Sequence, residues 1–89
     1  MSKLSKEKEE KIMSHIISFL FENSPSALFT SDISRAIARD EEFIKRLLQD
    51  LNKKGLVALV NKNPQGIDYQ KRQRWRLSDK AYQVYQQRQ

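Results

Sequence analysis

The chain lacks several residue types, and each absence limits what the protein can be. Its 89 residues include no cysteine, one histidine, two glycines and two prolines. Without cysteine there is no disulfide framework and no thiolate metal site, and a lone histidine has no second imidazole with which to share a metal ion. Two glycines leave little material for a phosphate-binding loop, and no carboxylate pair accompanies a nucleophile. We therefore expect no enzyme activity, no cofactor and no metal site.

A long apolar run is also missing. No segment approaches the roughly 20 apolar residues of a membrane span, and the opening MSKLSKEKEE contains no signal-peptide core. Hydrophobic residues make up 38% of the chain, which is enough for one small domain over residues 1–89. The sequence thus predicts a single cytoplasmic domain, associated with the nucleoid if the source is prokaryotic.

Positive charge is unevenly distributed. The formal net charge is +6, yet residues 1–40 carry six Lys or Arg against six Asp or Glu, while residues 41–89 carry eleven against five. A basic half on a small domain is typical of proteins that bind a polyanion. Solubility would not require the excess to be confined to one half, so the distribution favours nucleic acid as the partner.

The most regular pattern lies at residues 40–57, DEEFIKRLLQDLNKKGLV. Its apolar residues recur at i, i+3, i+4 and i+7, which predicts an amphipathic helix over residues 41–54 with an inward stripe of Ile44, Leu47, Leu48 and Leu51. Asp40 is suited to cap this helix, and Gly55 to end it in a left-handed conformation. The opposite face carries Glu42, Arg46, Gln49 and Lys53, with Lys45 at its edge. Such a face suits a helix in a DNA major groove, and equally the wet side of an ordinary surface helix.

Further elements follow from apolar periodicity and turn residues. Helices are predicted over residues 5–22, over residues 31–38 with a cap at Thr30 or Ser31, and over residues 79–87 with a cap at Ser78. In the second helix the residues predicted to face inward are Ile33, Ala36 and Ile37. Residues 27–29 predict a short pairing strand. The short connection between the second and third helices is typical of a helix-turn-helix pair.

Beyond Gly55 the apolar period changes from 3.6 to 2, which predicts a hairpin over residues 56–77. Trp75 and Leu77 fall on one side of its second strand, and the other side carries the arginines Arg72, Arg74 and Arg76. Trp75 is predicted to anchor the core rather than to stack on a base. The arginine row either binds phosphates, which its planar groups match, or forms a solvated edge that prevents aggregation.

Three segments resemble the winged helix-turn-helix superfamily: LFTSDISRAI, DEEFIKRLLQDLNKKGLV and RWRLSDKAY. The resemblance spans residues 5–85. It implies an α+β, mainly α fold with a three-helix core, an antiparallel wing of two or three strands and a short C-terminal helix. The run KKGLV, followed by a basic wing and RLSDKA, is similar to bacterial and archaeal repressors of the multiple-antibiotic-resistance (MarR) type.

The sequence departs from the MarR pattern at several points. Ser78 and Ala81 replace the usual Thr and Gly, and the spacing from Asp68 to Arg72 is longer than the usual Asp-x-Arg. The long terminal dimerisation helices of those repressors have no counterpart in the sequence. The family's dimeric arrangement is therefore not carried over, and a homodimer stays an open alternative.

The resemblance implies double-stranded DNA binding in transcription regulation. The third helix would read the major groove, with Arg46 and Gln49 at base edges and Lys45 and Lys53 at phosphates. Other contacts to the DNA backbone, or to the minor groove in the case of the wing, would come from Ser31, Arg35, Arg72, Arg74 and Arg76. Glu42 is either a liability near phosphates or an acceptor for a cytosine amino group.

Other partners remain open. Winged helices also serve as docking domains, in which case the same surface would meet an acidic protein. Winged helices that bind Z-form DNA carry Lys, Asn and Tyr at positions that fall here on Glu41, Lys45 and Gln49, so none of the three matches. RNA is a further alternative.

Overall fold

A computed structural model describes residues 6–60 and 73–87 of the chain. Its elements are, in chain order, α1 (Lys6–Glu22), β1 (Leu28–Phe29), α2 (Thr30–Ile37), α3 (Glu41–Lys53), β2 (Val57–Val60), β3 (Arg74–Leu77) and α4 (Asp79–Gln87). Helices dominate, and the three strands form one antiparallel sheet. The predicted α+β, mainly α architecture is confirmed.

The core is one apolar cluster to which all four helices and the two hairpin strands contribute. The largest share comes from α3, whose buried residues are the predicted Ile44, Leu47, Leu48 and Leu51. They pack against Ile12, Ile16 and Leu20 of α1, Ile33 of α2, Val57, Trp75, Leu77 and Ala81. Burying one such aliphatic side chain contributes about 1.5–3 kcal/mol, so the stripe fixes which face of α3 is left outside.

The predicted start of α3 and its glycine end are confirmed, and the helix itself ends at Lys53, one residue before the predicted position. The Asp40 carboxylate accepts a hydrogen bond from the Phe43 N–H at 3.1 Å, which satisfies one of the free amides of the first turn. Gly55 follows the helix with a φ of 78°. The Leu56 N–H then donates to the Leu51 carbonyl at 2.9 Å and the chain turns into β2.

Two predictions for α2 are wrong. The helix begins at Thr30 behind an extended Phe29, and the Phe29 N–H donates to the Asp32 carboxylate at 3.3 Å. Neither Thr30 nor Ser31 caps the helix, because Phe29 stands at the cap position, and the Thr30 hydroxyl instead accepts a hydrogen bond from Trp75 Nε1 at 2.8 Å. Ala36 is exposed because the buried side of α2 is centred on Thr30, Ile33 and Ser34, about a third of a turn away.

The helix ends at Ile37, one residue before the predicted position. Ala38 adopts a left-handed conformation with a φ of 60°. Its N–H donates to the Arg35 carbonyl, and the Arg39 N–H donates to the Ser34 carbonyl at 3.0 Å. This turn closes α2 and redirects the chain into α3.

The sheet has three strands in the order β1-β3-β2, so the wing includes the additional strand that the prediction allowed. Leu28 pairs with Trp75 on one side of β3, and Leu59 pairs with Trp75 on the other. Trp75 is 1% exposed, which confirms its prediction as a core anchor.

The helix α4 packs against α1 and is tied to the end of α3. The Ser78 hydroxyl accepts from the Ala81 N–H at 3.1 Å, as predicted for a cap, and donates to the Gly55 carbonyl at 2.8 Å. The Phe21 ring lies 5.0 Å from the Tyr82 ring and 4.8 Å from the Tyr85 ring. Within residues 6–60 and 73–87, no helix has the length and apolar content needed to cross a membrane.

Candidate nucleic-acid interface

The outer face of α3 is presented to solvent as the sequence predicts. We use this name for the side chains of Glu42, Arg46, Gln49 and Lys53, all of which are exposed. Lys45 stands at the edge of this face and is half-buried. The four buried aliphatic residues hold the opposite side of the helix in the core, so the outer face cannot turn inward without exposing them.

Arg46 is not directed straight outward from α3. Its Nη2 donates to Glu9 Oε2 of α1 at 3.2 Å, and its Nη1 lies 3.9 Å from Asp50 Oδ2. Its guanidinium carbon also lies 5.3 Å from the centroid of the Phe43 ring. The side chain is still 51% exposed, while that of Glu9 is 25% exposed. We call this contact between α1 and α3 the Arg46 clasp.

The helix α2 contributes two of the predicted residues. Arg35 is exposed on the side of α2 away from the buried Ile33 and Ser34. Ser31 is half-buried, and its carbonyl accepts a hydrogen bond from the Ser34 hydroxyl at 3.0 Å. Ser31 belongs to the first turn of α2, where backbone amides favour an anion.

The arginines of β3 lie on the sheet face opposite Trp75 and Leu77, as the alternation predicts. Arg74 stands at the end of β3 that adjoins the wing loop, with its guanidinium carbon 5.9 Å from the Phe29 ring centroid. Arg76 stands at the other end, where its Nη1 donates to the Leu77 carbonyl at 2.9 Å and lies 3.6 Å from Asp79 Oδ1. Arg72 and residues 61–71 of the predicted wing lie outside the described residues.

The structure thus brings the predicted residues together in two groups. The first lies on the adjacent helices α2 and α3 and comprises Ser31, Arg35, Lys45, Arg46, Gln49 and Lys53. The second lies on β3 and comprises Arg74 and Arg76, of which Arg76 is at the base of the wing and already contacts a carboxylate. In the part of the chain that the structure describes, no cluster of His, Cys, Asp or Glu could hold a metal ion.

Glu9 is the residue of this region that the sequence did not reveal. It lies 37 positions before Arg46 and belongs to a run of alternating charges, KEKEEK, in which its neighbours look equivalent. Only the packing of α1 across α3 distinguishes it. The spacing of Arg46 and Asp50 at i and i+4 was a local signal for the second ion pair of Arg46, which lies within α3.

Comparison by sequence returns no relatives, since no family profile and no curated protein matches this chain. Comparison by structure, in contrast, finds several similar proteins. Staphylococcus aureus MepR, solved in complex with DNA, superposes with a TM-score of 0.73 at 20% identity, covering 91% of this chain and 64% of MepR. MepR is a transcription regulator of the multidrug efflux pump MepA.

Two other solved structures have the same architecture. A variant of Lactococcus lactis ZitR superposes with a TM-score of 0.67 at 19% identity, covering 97% of this chain and 51% of ZitR. A Ralstonia eutropha JMP134 protein, named only as a candidate DNA-binding protein, gives a TM-score of 0.69 at 15% identity and covers 86% of this chain and 93% of its own.

This chain spans about half to two thirds of the MepR and ZitR chains it resembles. At identities near 20% the likeness concerns the fold. The chain has the winged helix-turn-helix fold, and its resemblance to MarR-type repressors is confirmed at the level of that fold.

Proposed function

We propose that this protein binds double-stranded DNA as a transcription regulator, with α3 in the major groove. The observation that carries the proposal is the outer face of α3: it is exposed, rich in long basic and amide side chains, and set in a winged helix-turn-helix fold. The same fold is known in a MepR complex with DNA. A helix of this kind fits the major groove, where Arg, Lys and Gln side chains reach base edges.

The roles of the individual residues follow from their positions on the fold. Gln49 is exposed at the middle of the outer face and would bind a base edge, adenine being the partner that matches its amide. Lys45 and Lys53 would neutralise phosphates on the two sides of the groove. On α2, Ser31 and Arg35 would bind a phosphate near the helix start. The wing would follow the neighbouring backbone or minor groove with Arg72, Arg74 and Arg76.

The clasp does not exclude Arg46 from the interface. Exposed ion pairs contribute only about 0.2–1 kcal/mol, and the Arg46 side chain is 51% exposed. A phosphate offers a charged bidentate partner, and a guanine edge offers a neutral bidentate one. Arg46 would therefore exchange Glu9 and Asp50 for DNA, at a modest cost to affinity. Arg76 would likewise exchange its contact with Asp79 for a phosphate.

The proposal is tested by the salt dependence of duplex binding. The full chain is titrated against a labelled duplex of random sequence, and the dissociation constant is measured by fluorescence anisotropy at several salt concentrations. The logarithm of affinity should fall linearly with the logarithm of salt, with a slope of about 0.9 per phosphate neutralised. The double variant Lys45→Ala, Lys53→Ala should reduce the magnitude of that slope by about 1.8, which corresponds to the loss of two phosphate contacts.

A matched control separates these lysines from general charge. The variant Lys11→Ala, Lys80→Ala removes the same charge from exposed positions on α1 and α4. It should leave the salt slope close to that of the unmodified chain. If binding is indifferent to salt, or if both double variants lower the slope equally, α3 is not the DNA-binding element and the proposal fails.

A further inference from the structure

We infer that Glu42 is a specificity-determining residue that selects a C·G base pair in the DNA bound by α3. The inference rests on the proposed function, because it concerns the outer face of α3. Glu42 is exposed in the first turn of α3, on the same face as Arg46 and Gln49. A recognition helix usually contacts base edges with its N-terminal residues, and Glu42 is therefore placed to meet one.

The carboxylate of Glu42 is not neutralised by its nearest cation. Glu followed by Arg four residues later is a favourable spacing for an ion pair on a helix. Arg46 instead binds Glu9 at 3.2 Å, lies 3.9 Å from Asp50 and rests over the Phe43 ring. Among residues 6–60 and 73–87, no ion pair or hydrogen bond engages the Glu42 carboxylate. The Arg46 clasp thereby leaves Glu42 available as an acceptor.

An ionised carboxylate can only accept hydrogen bonds, which restricts the base it can face. In the major groove guanine presents the acceptors N7 and O6, and thymine presents the acceptor O4 beside a methyl group. Cytosine presents the N4 amino donor, and adenine presents its N6 donor next to the acceptor N7. Cytosine is the partner that a carboxylate meets without facing an acceptor, so a C·G pair is selected.

Selection by Glu42 operates mainly through rejection of other bases. A carboxylate that has lost water without gaining a donor is costly, and phosphates on both sides of the groove repel it. Glu42 therefore lowers affinity for every duplex and lowers it least where cytosine lies opposite. This is specificity obtained by penalising the wrong partner.

The experiment compares the unmodified chain with Glu42→Ala. Each protein is used to select duplexes from a randomised library, and individual duplexes are then measured by anisotropy. The unmodified chain should enrich one C·G pair and bind duplexes altered there about 5- to 100-fold more weakly. Glu42→Ala should lose the preference at that one position and keep the preferences at all others. A further duplex carries pyrimidin-2-one, which lacks the 4-amino group, in place of that cytosine. The unmodified chain should bind this duplex more weakly than the cytosine duplex, whereas Glu42→Ala should bind the two equally.

Glu41→Ala serves as the matched control. Glu41 is the adjacent exposed carboxylate of the same first turn, and its removal changes the net charge equally. Because it lies about 100° away around the helix axis, it should not share the base contacted by Glu42. Both variants should bind all duplexes more tightly, because one repelling charge is gone. Only Glu42→Ala should remove the base preference at one position of the selected sequence.

The possible results are distinct. A uniform gain in affinity with both variants, and no change at any single position, overturns the role of Glu42 while DNA binding stands. Failure of the unmodified chain to bind any duplex at low salt removes the proposed function and this inference with it. Circular dichroism of each variant checks that the helical content is unchanged.

Discussion

At the scale of single residues, the hydrogen bond between Trp75 and Thr30 joins two segments that lie 45 positions apart. The Trp75 Nε1–H donates to the Thr30 hydroxyl at 2.8 Å, and both residues are buried. Neither group has access to water as a substitute partner. The contact therefore links the start of α2 to the central strand of the sheet.

We expect Trp75→Phe to destabilise the protein by about 1–3 kcal/mol for the unsatisfied Thr30 hydroxyl alone, with a further loss from the smaller ring. Thr30→Val should cost a similar amount because it leaves the indole N–H without an acceptor. The double variant should cost less than the sum of the two, since it leaves neither group unpaired. Urea unfolding followed by circular dichroism gives the three values. Additive values would show that the hydrogen bond contributes no coupling.

At Gly55 a side chain is disfavoured by the backbone conformation and not by lack of space. A side-chain carbon at this position would meet nothing within 4 Å, but the backbone has a φ of 78°. We expect Gly55→Ala to lower the free energy of unfolding by about 1–2 kcal/mol, because an L-residue is strained in the left-handed region. Gly55→Asn should cost less, since Asn tolerates that region better. An unchanged urea midpoint for Gly55→Ala would contradict this expectation.

At the scale of elements, the Arg46 clasp connects the beginning of α1 to the outer face of α3. It couples α1, which also contributes Ile12, Ile16 and Leu20 to the core, to the helix proposed to read DNA. DNA and Glu9 would then compete for the same guanidinium group. DNA has to replace an ion pair in which the side chains of both Arg46 and Glu9 are partly exposed to solvent.

We expect Glu9→Gln to tighten duplex binding by about 1.5- to 5-fold, which corresponds to the roughly 0.2–1 kcal/mol of an exposed ion pair. Glu7→Gln removes an equal charge from the same first turn of α1 and is the control. The difference between the two variants should vanish in an Arg46→Ala background. If Glu7→Gln tightens binding as much as Glu9→Gln, the effect is one of net charge and the clasp does not regulate Arg46.

Elements with a strong local pattern were predictable from the sequence, and contacts between distant residues were not. The buried stripe of α3 follows from the spacing of Ile44, Leu47, Leu48 and Leu51, and its start from Asp40, because periodicity and capping residues act within a few positions. A cap was predicted at Thr30 or Ser31 because a hydroxyl suits that role locally. The Thr30 hydroxyl does not serve as a cap. Its actual partner, Trp75, depends on how the sheet meets the helices, and the same is true of Glu9 and Arg46.

At the scale of the whole molecule, one apolar cluster unites all four helices with β2 and β3. Even the C-terminal helix, with only Ala81 fully buried, is attached through the ring contacts of Phe21 with Tyr82 and Tyr85. No described element has a core of its own. Unfolding of one part therefore exposes apolar surface of every other part.

We expect equilibrium unfolding to be a single transition. Trp75 is the only tryptophan, so its fluorescence reports on the sheet, while far-ultraviolet circular dichroism reports on the helices. The two urea midpoints should coincide. An earlier loss of helical signal than of tryptophan fluorescence would show that α4 or α1 detaches before the core opens.

The central position of β3 has a consequence for the proposed DNA binding. This strand is hydrogen-bonded to β2 on one edge and to β1 on the other, and β1 continues directly into α2. The spacing between the helix pair and the base of the wing is therefore set before any duplex arrives. If the proposed function is correct, a duplex whose groove width differs from that spacing would have to twist or bend on binding. Sequences that deform easily should then be favoured even where no side chain touches a base.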